Sequence, residues 1–512
     1  MFNLSLRNHA LGAAIAASHS PSRRWLSSLR SAAVAAAVAA TLAACAVGPN
    51  YVKPEAPVAA SFVSAEAATY SPEEVQSRFW TQFSDQTLDH LVEDALNANH
   101  DLRIALGHLV EARANRREAA FDYGPRVTAS GGYTKQKVPV AASPVGVPYN
   151  VELYDAGFDA TWELDLFGRV RRENEAARAQ LQGAEAGLHD AQISVIAEVA
   201  RTYFELRGEQ NELAVARRNV ENQRETLRVT TARLDAGRGT ELDTSRAQAQ
   251  LSTTLATIAP IEAAVARSIH RISVLTGKEP NALNSELTPV HDLPALPQIA
   301  AVGDPASLLR RRPDIRIAER QLAASTAQIG VAVGDLFPKV TFTGDVGYQS
   351  DSSRTLSNSG TLGYTIAPGI SWAAFDLGRV WQQVAAAHAR NDIALASYEK
   401  TVLGALEETE DSLVTHARAR DRLTHAEDAA KASSTAARLA RTRYEGGIVD
   451  FLEVLDAERT QLQAEDQLAQ SRTDAATSLI AVYKALGGGW ESAPLPRYTR
   501  ANSADFAGAS PR

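Results

Sequence analysis

Cysteine is almost absent: the chain of 512 residues carries one, Cys45. A lone thiol excludes an intramolecular disulfide, and it makes a poor structural zinc site, which needs several thiolates or histidines. Aromatic residues are scarce at 6%, while alanine recurs in every stretch, a balance unlike that of an ordinary enzyme core. Beyond residue 45 no apolar run approaches the ~18 residues of a transmembrane helix. Catalytic signatures are also missing. Neither H-E-x-x-H nor G-x-S-x-G occurs. "GRGTEL" (237–242) holds only the first two glycines of a dinucleotide loop and follows no strand, and "LTGKEP" (275–280) lacks the upstream glycine of a P-loop. The 11 histidines are scattered. No catalytic residue, metal or dissociable cofactor is expected, and the chain does not read as an enzyme.

What is present starts at the N-terminus. Residues 1–44 carry Arg7, Arg23, Arg24 and Arg30, no acid, and then an alanine-rich apolar run. That is the order of a secretory leader. Leu42-Ala43-Ala44-Cys45 resembles a bacterial lipobox, which would make Cys45 the lipidated first residue, with N-acyl and S-diacylglycerol groups as the only covalent additions. The plainer alternatives are a buried apolar cysteine and an ordinary peptidase site. Ala46 in the next position favours the outer membrane. Removal of four positive charges takes the formal charge from −8 to −12. An acidic exported chain argues against a nucleic-acid partner.

The sequence is written twice. "WELDLFGRV" (162–170) and "WAAFDLGRV" (372–380) lie 210 residues apart, as do "RLDAG" (233–237) and "RYEGG" (443–447). "DLRIA" (101–105) and "DIRIA" (314–318), and Pro125 and Pro338, lie 213 apart. The organisation predicted is an N-terminal extended segment over 45–84, a first repeat over 85–276, a connector over 277–304, a second repeat over 305–489 and a mobile tail over 490–512. Each repeat reads helix, strand, strand, helix, helix. The strands alternate cleanly: Tyr154, Ala156, Phe158, Ala160, Trp162 and Leu164 oppose Asp155, Gly157, Asp159, Thr161 and Glu163. The stretches 339–348 and 361–372 alternate likewise, and 126–134 does so more weakly. Segments of about 9–11 residues span a bilayer as tilted strands. Four strands cannot close a barrel, and open edges in lipid leave backbone groups unpaired. Several copies must therefore share one wall.

The helices are too long for a compact domain. Residues 168–236 offer roughly 100 Å of helix at 1.5 Å per residue. Leu206, Leu213, Val220, Leu227 and Leu234 repeat every seven, a coiled-coil seam. Leu455, Leu462, Ala469, Ala476 and Tyr483 repeat it in the second half.

These features resemble the TolC-like outer-membrane factor family, in particular the lipidated NodT-type channels of RND efflux pumps. The likeness is carried by "CAVGPNYVKPEAP" (45–57), "WELDLFGRVRR" (162–172), "LLRRRPDIRIAERQLAAS" (308–325), "LFPKVTFTG" (336–344) and "YEGGIVDFLEVLDAE" (444–458). The resemblance implies an α+β membrane protein. It implies a homotrimer whose 12-stranded transmembrane β-barrel continues into a long periplasmic α-helical barrel. It implies a passive exit duct in the outer membrane, gated at the periplasmic helix tips. The implied partners are a periplasmic adaptor (membrane fusion) protein, an inner-membrane RND transporter and outer-membrane lipid. The rivals are a channel for type I protein secretion and a non-channel coiled-coil scaffold lipoprotein.

The resemblance also assigns sites. The two tips, 233–247 and 443–457, would dock the adaptor through Arg233, Gly237, Arg443, Gly446 and Gly447. Asp456 and Glu453, three apart and so on one helical face, match the family's pore-constriction carboxylates; a threefold channel would gather six. Glu453 has an equal claim as part of a capping box begun by Asp450, and Thr240-x-x-Asp243 repeats that box. Asp243 and Tyr444 match residues that tether the closed gate. The family's basic partner falls on Val449, a departure from the family pattern, with Arg443, Arg233 or Arg238 as candidate substitutes. Arg310–Arg312 are expected just before a helix opened by Pro313, paired with acids.

Overall fold

The computed structural model describes residues 46–55, 59–65, 70–71, 73, 76–142, 144, 146–297 and 300–491. The expected leader, the expected lipidation site Cys45 and the tail from residue 492 lie outside them. The chain divides into two units, one containing 122–172 and 330–381, the other 49–121, 173–329 and 382–512.

The first unit is built on a four-stranded antiparallel sheet. Its strands are β2 (Arg126–Val138), β3 (Tyr149–Leu164), β5 (Lys339–Ser350) and β6 (Leu362–Ser371), in the order β2-β3-β5-β6. Residues opposite each other across a ladder share a face. The register Ala129↔Phe158↔Val346↔Tyr364 therefore sets one apolar row, and Val340↔Ile370 with Leu164↔Val340 sets another. The alternating row Thr128↔Asp159↔Asp345↔Thr365 is polar. The period-2 pattern of the sequence thus becomes one apolar and one polar face across all four strands. The apolar face is uncovered: Tyr364 is 78%, Ile366 72% and Ile370 75% exposed. Trp162 and Trp372 close its lower end in the same way. The indole N–H of Trp162 donates to the Tyr123 carbonyl (3.0 Å), and that of Trp372 to the Leu336 carbonyl (2.9 Å). The described start of the chain is pinned in this unit: Val47 N–H donates to Phe167 O, and Arg172 Nε donates to Val47 O, each at 3.0 Å.

The second unit is helical. Its helices include α1 (Gln86–Ala98), α2 (His100–Phe121), α4 (Glu241–Leu275), a short α5 (Asn284–Leu287), α6 (Pro305–Arg311) and α9 (Phe451–Ala485). Three more helices start or end in the first unit's segments: α3 (Arg169–Asp235), α7 (Pro313–Gly334) and α8 (Leu377–Glu445). α3 runs 67 residues and α8 69, matching the length expected from the seam. The seam residues Leu206, Leu213, Val220, Leu455, Ala469, Ala476 and Tyr483 are buried. Packing is close enough to require glycine at one crossing. A Cβ on Gly208 of α3 would sit 2.0 Å from Thr473 Oγ1 of α9.

The described residues of the segment 45–84 are not extended throughout. Phe79–Phe83 forms a 3₁₀ turn, and Phe79, Trp80 and Phe83 are fully buried. Phe79 stacks on Tyr483 at 4.8 Å, and Phe83 meets Phe204 edge-on at 4.8 Å. Few aromatics exist to fill an alanine-rich core, and these supply the large side chains that alanine cannot. The described part of the connector is built into the fold as well. Ala300–Ala301 (β4) pairs in parallel with Tyr70–Ser71 (β1), and Leu283 and Leu287 are core residues. Arg310 and Arg311 belong to α6 rather than to the approach to α7, because Asp304 caps a helix there and Pro305 opens it. The expected pairing with acids is present: Arg311 with Glu491 (2.8 Å), and Arg312 with Asp314 and Glu408 (both 2.7 Å).

Candidate functional site

Both helical tips lie in the second unit and close in the same way. Gly237 N–H donates to Leu234 O (2.9 Å) and Arg238 N–H to Arg233 O (2.8 Å). In the other tip Gly447 N–H donates to Tyr444 O and Ile448 N–H to Arg443 O, each at 2.9 Å. Gly237 and Gly447 take φ of 69° and 75°, the left-handed turn that glycine permits without a Cβ clash. Gly446 keeps an ordinary φ. Each turn then restarts a helix. Thr240 and Asp243 form a reciprocal capping box on α4, and Asp450 accepts from the Glu453 N–H (3.3 Å) on α9.

The site residues expected from the sequence fall into three groups. Glu453 and Asp456 are exposed on α9, and no side-chain partner is found for either carboxylate among the described residues. Glu453 contributes its backbone to the cap, which leaves its side chain outward. Asp243 is turned to its own cap, with Thr240 Oγ1 donating at 2.7 Å, and makes no hydrogen bond to Tyr444. Tyr444 is buried in a cluster with Ala247, Phe451, Val454 and Leu455, its ring 5.7 Å from that of Phe451. Burial pushes its hydroxyl pKa up; Asp243 adds to the rise and Arg233 opposes it. Arg233, expected as a docking residue and as one candidate substitute partner of the tip, lies across the Tyr444 ring. No side-chain partner is found for Arg443 among the described residues.

Sequence reasoning missed the polar cross-links above the tips. Glu458 of α9 is buried; it accepts from Thr226 Oγ1 of α3 (2.7 Å) and Arg441 Nη2 of α8 (2.6 Å). Arg459 Nε donates to Gln250 Oε1 of α4 (2.8 Å), and Asn219 Nδ2 donates to Glu465 (3.1 Å). Higher still, Glu212 of α3 and Asp466 of α9 line a groove of about 830 Å³ beside Pro260 of α4. The available signal was a charged residue three positions past seam residue Leu455.

The sheet, the paired hairpins and the tips together describe a membrane-associated coiled-coil channel subunit. Comparison with known proteins agrees. A sequence model of the outer membrane efflux proteins matches residues 91–278 and 305–488. TtgC of Pseudomonas putida, described as a probable efflux pump outer membrane protein, is 32% identical over 458 residues, covering 88% of this chain and 93% of its own. OprJ of Pseudomonas aeruginosa, an outer membrane protein, is 32% identical over 457 residues, 88% of this chain and 94% of its own. The solved outer-membrane channel OprN superposes with a TM-score of 0.82 at 44% identity, over 87% of this chain and all of that one. The chain belongs to the outer membrane efflux protein family. It is an outer-membrane channel subunit of an efflux pump, and its family is one of channel proteins rather than enzymes.

Proposed function

We propose that three copies of this chain close a twelve-stranded β-barrel in the outer membrane. They form a passive duct, gated at the helix tips, for small compounds delivered by an inner-membrane RND transporter through a periplasmic adaptor. The observation that carries this reading is the four-stranded sheet. Its ladder ends at β2 on one side and β6 on the other, and one face is a continuous apolar band. From Tyr154 to Trp162 that face runs eight residues, about 26 Å at 3.3 Å each. Tilted by ~40°, it spans roughly 20 Å, close to the apolar belt of outer-membrane barrels. A sheet with bare edges and an apolar face is unstable in lipid unless other copies complete it.

Lipid on Cys45 fits the same arrangement. Ala46 is the first described residue, and Val47 is tied to Phe167 at the end of the sheet. An acyl chain on the preceding residue would enter the membrane beside the strands. Exposed Asp456 and Glu453 of three copies would place six carboxylates around the passage, favouring cations.

The test is purification of the full-length protein in detergent, electron microscopy and single-channel recording. A trimer with a central conduit and cation-preferring currents is expected. A folded, water-soluble monomer would overturn the reading. Co-purification of an adaptor with an RND transporter supports efflux; co-purification with a protein-secretion ATPase would redirect it to type I secretion.

A further inference from the structure

Two β-hairpins make the sheet of the first unit, and they match in register. β2 corresponds to β5 at an offset of 213 residues, and β3 to β6 at 210. Carried through those offsets, Val127↔Ala160 becomes Val340↔Ile370, Thr128↔Asp159 becomes Thr341↔Gly369, and Thr134↔Leu153 becomes Gly347↔Gly363. Each is a pair that the second hairpin makes. The chain therefore contains one seam between equivalent hairpins, β3 against β5. The corresponding strands, β6 and β2, are the two outer strands of the sheet. Through the same offsets, Thr161↔Thr343 sets Ser371 opposite Ser130, Gly157↔Gly347 sets Ala367 opposite Thr134, and Asp155↔Gln349 sets Thr365 opposite Gln136. All of these positions lie on the polar face. A slip of one residue would set polar positions against apolar ones.

Next to the strands, the seam inside the chain is filled by the start of the described chain. A Cβ on Gly48 would lie 2.5 Å from Gly330 Cα, and one on Gly168 would lie 2.5 Å from Ala46 Cα. Gly334 also makes room, since a Cβ there would lie 2.9 Å from Arg169 Cβ. Phe167 stacks on Phe337 at 4.7 Å. Each chain has one such N-terminal segment and two seams to fill. At the outer seam the counterpart residues are reversed in size. Gly330 corresponds to Arg117 and Gly334 to Phe121, while Phe167 and Phe337 correspond to Leu377 and Gly124. Phe121, just before β2, is 80% exposed. A Cβ on Gly378, the counterpart of Gly168, would meet nothing within 4 Å. Bulk thus stands where the inner seam needs space, on a side chain that its own copy leaves bare.

We propose that β6 of one copy pairs with β2 of the next in the register of β3 with β5, and that Phe121 of the next copy fills, beside that ladder, the space that Ala46–Gly48 fills in the chain's own seam. The inference rests on the shared-barrel reading above. The same register brings Phe375, which is wholly exposed, level with Arg126 of the next copy.

The test is oxidation of paired cysteine variants of the full-length protein, followed by non-reducing electrophoresis. Cys45 is the only native cysteine, and single variants control for it. Ser130→Cys with Ser371→Cys, and Thr134→Cys with Ala367→Cys, give covalent trimers. The crossed pairs, Ser130→Cys with Ala367→Cys and Thr134→Cys with Ser371→Cys, do not. Four residues along a strand separate them by about 13 Å, and a disulfide needs Cα atoms within about 7 Å. Trimers that link through the crossed pairs, or through neither set, overturn the register while leaving the barrel intact. Where a variant fails to assemble, an electron-microscopy map of the wild-type trimer reads the same register without substitution. Wild-type protein that is monomeric in mild detergent by light scattering ends the shared-barrel reading and this inference with it. Phe121→Ala tests the filling. Alanine is the better helix former and the side chain is bare in an isolated copy, so the change costs nothing unless another copy covers it. The unboiled trimer then gives way to monomer at a lower temperature than wild type, with helical unfolding of the monomer unchanged. A trimer as heat-resistant as wild type overturns the filling.

Discussion

Glu212 and Asp466 give the helical unit a defined pH response. They approach from α3 and α9, and among the described residues no cation pairs with either. On α3 the neighbouring acid is Glu209, occupied by Ser268 Oγ (2.8 Å); on α9, Gln470 Nε2 donates to Asp466 (3.1 Å). Arg459 lines the same groove but is committed to Gln250, and the lining residues of α4 carry no charge. Burial, then the charge and hydrogen bond of Asp466, then Glu209, raise the Glu212 carboxyl from 4.5 to about 7. The folded state thus holds a proton that the unfolded chain releases near 4.5. The stabilisation is full below about pH 4.5, declines as the pH rises through the window, and is gone above about 7. A shift of about 2.5 units corresponds to ~3.4 kcal/mol at 1.36 kcal/mol per unit. Glu212 is only half-buried, and solvent screening reduces this to roughly 1–2 kcal/mol per subunit. Thermal unfolding of the detergent-solubilised protein at pH 5 and pH 8 reads the difference, about 1–3 °C for a chain of this size. Glu212→Gln supplies an amide that donates to Asp466 at either pH, so the variant loses this component of the pH dependence. If wild type and Glu212→Gln lose the same number of degrees between pH 5 and pH 8, the pair is not the source.

Three further outcomes follow from named contacts. Asp456→Asn with Glu453→Gln raises the closed-state conductance and weakens cation preference in bilayer recordings; unchanged reversal potentials would remove both from the gate. Val346→Arg, in the middle of the apolar face, costs about 2–4 kcal/mol of barrel stability and lowers the trimer yield in outer membranes. The neighbouring Asp345→Asn, on the polar face, leaves the yield unchanged. Glu458→Ala strands Arg441 and Thr226 between three helices. Because Arg441 remains 30% exposed, the cost is about 2 kcal/mol rather than the 3–5 of a fully buried pair, seen as earlier unfolding of the helical signal.

Much of this was legible in the chain because it depends on short-range periodicity. The strands over 154–164, 339–348 and 361–372 were read within two residues at most of their ends, except that β3 begins earlier, at Tyr149. Burial on alternate residues is a local signal, and so is a capping box such as Thr240-x-x-Asp243. The tip turns were equally readable from Gly237 and Gly447. What was missed depends on partners far away in sequence. Phe79 finds Tyr483 some 400 residues on, and Glu458 finds Thr226 232 residues back. Nothing near either residue announces the pairing. The weak alternation of 126–134 has a different cause. Gly131 interrupts the apolar face of β2 and Gly132 the polar one, yet its ladder to β3 extends unbroken from Arg126 to Val138.

The two tips are alike in backbone and unlike in charge, and that difference bears on where a ring of charge could form. Turn closure, left-handed glycine and N-cap recur at the 210-residue offset, so both tips are built in the same way. The side chains have diverged at the positions facing outward. Asp456 corresponds to Arg246 and Glu453 to Asp243. The second hairpin thus presents two free acids one helical turn apart, whereas the first presents one acid, tied into its cap, and one base. A ring of like charge needs every contributor to carry the same sign without local neutralisation. Only α9 meets that condition. The cross-links follow the same division: Arg233 and Thr226 of the first hairpin hold Tyr444 and Glu458 of the second. The first hairpin supplies the side chains that tie down the second, and the second carries the exposed acids.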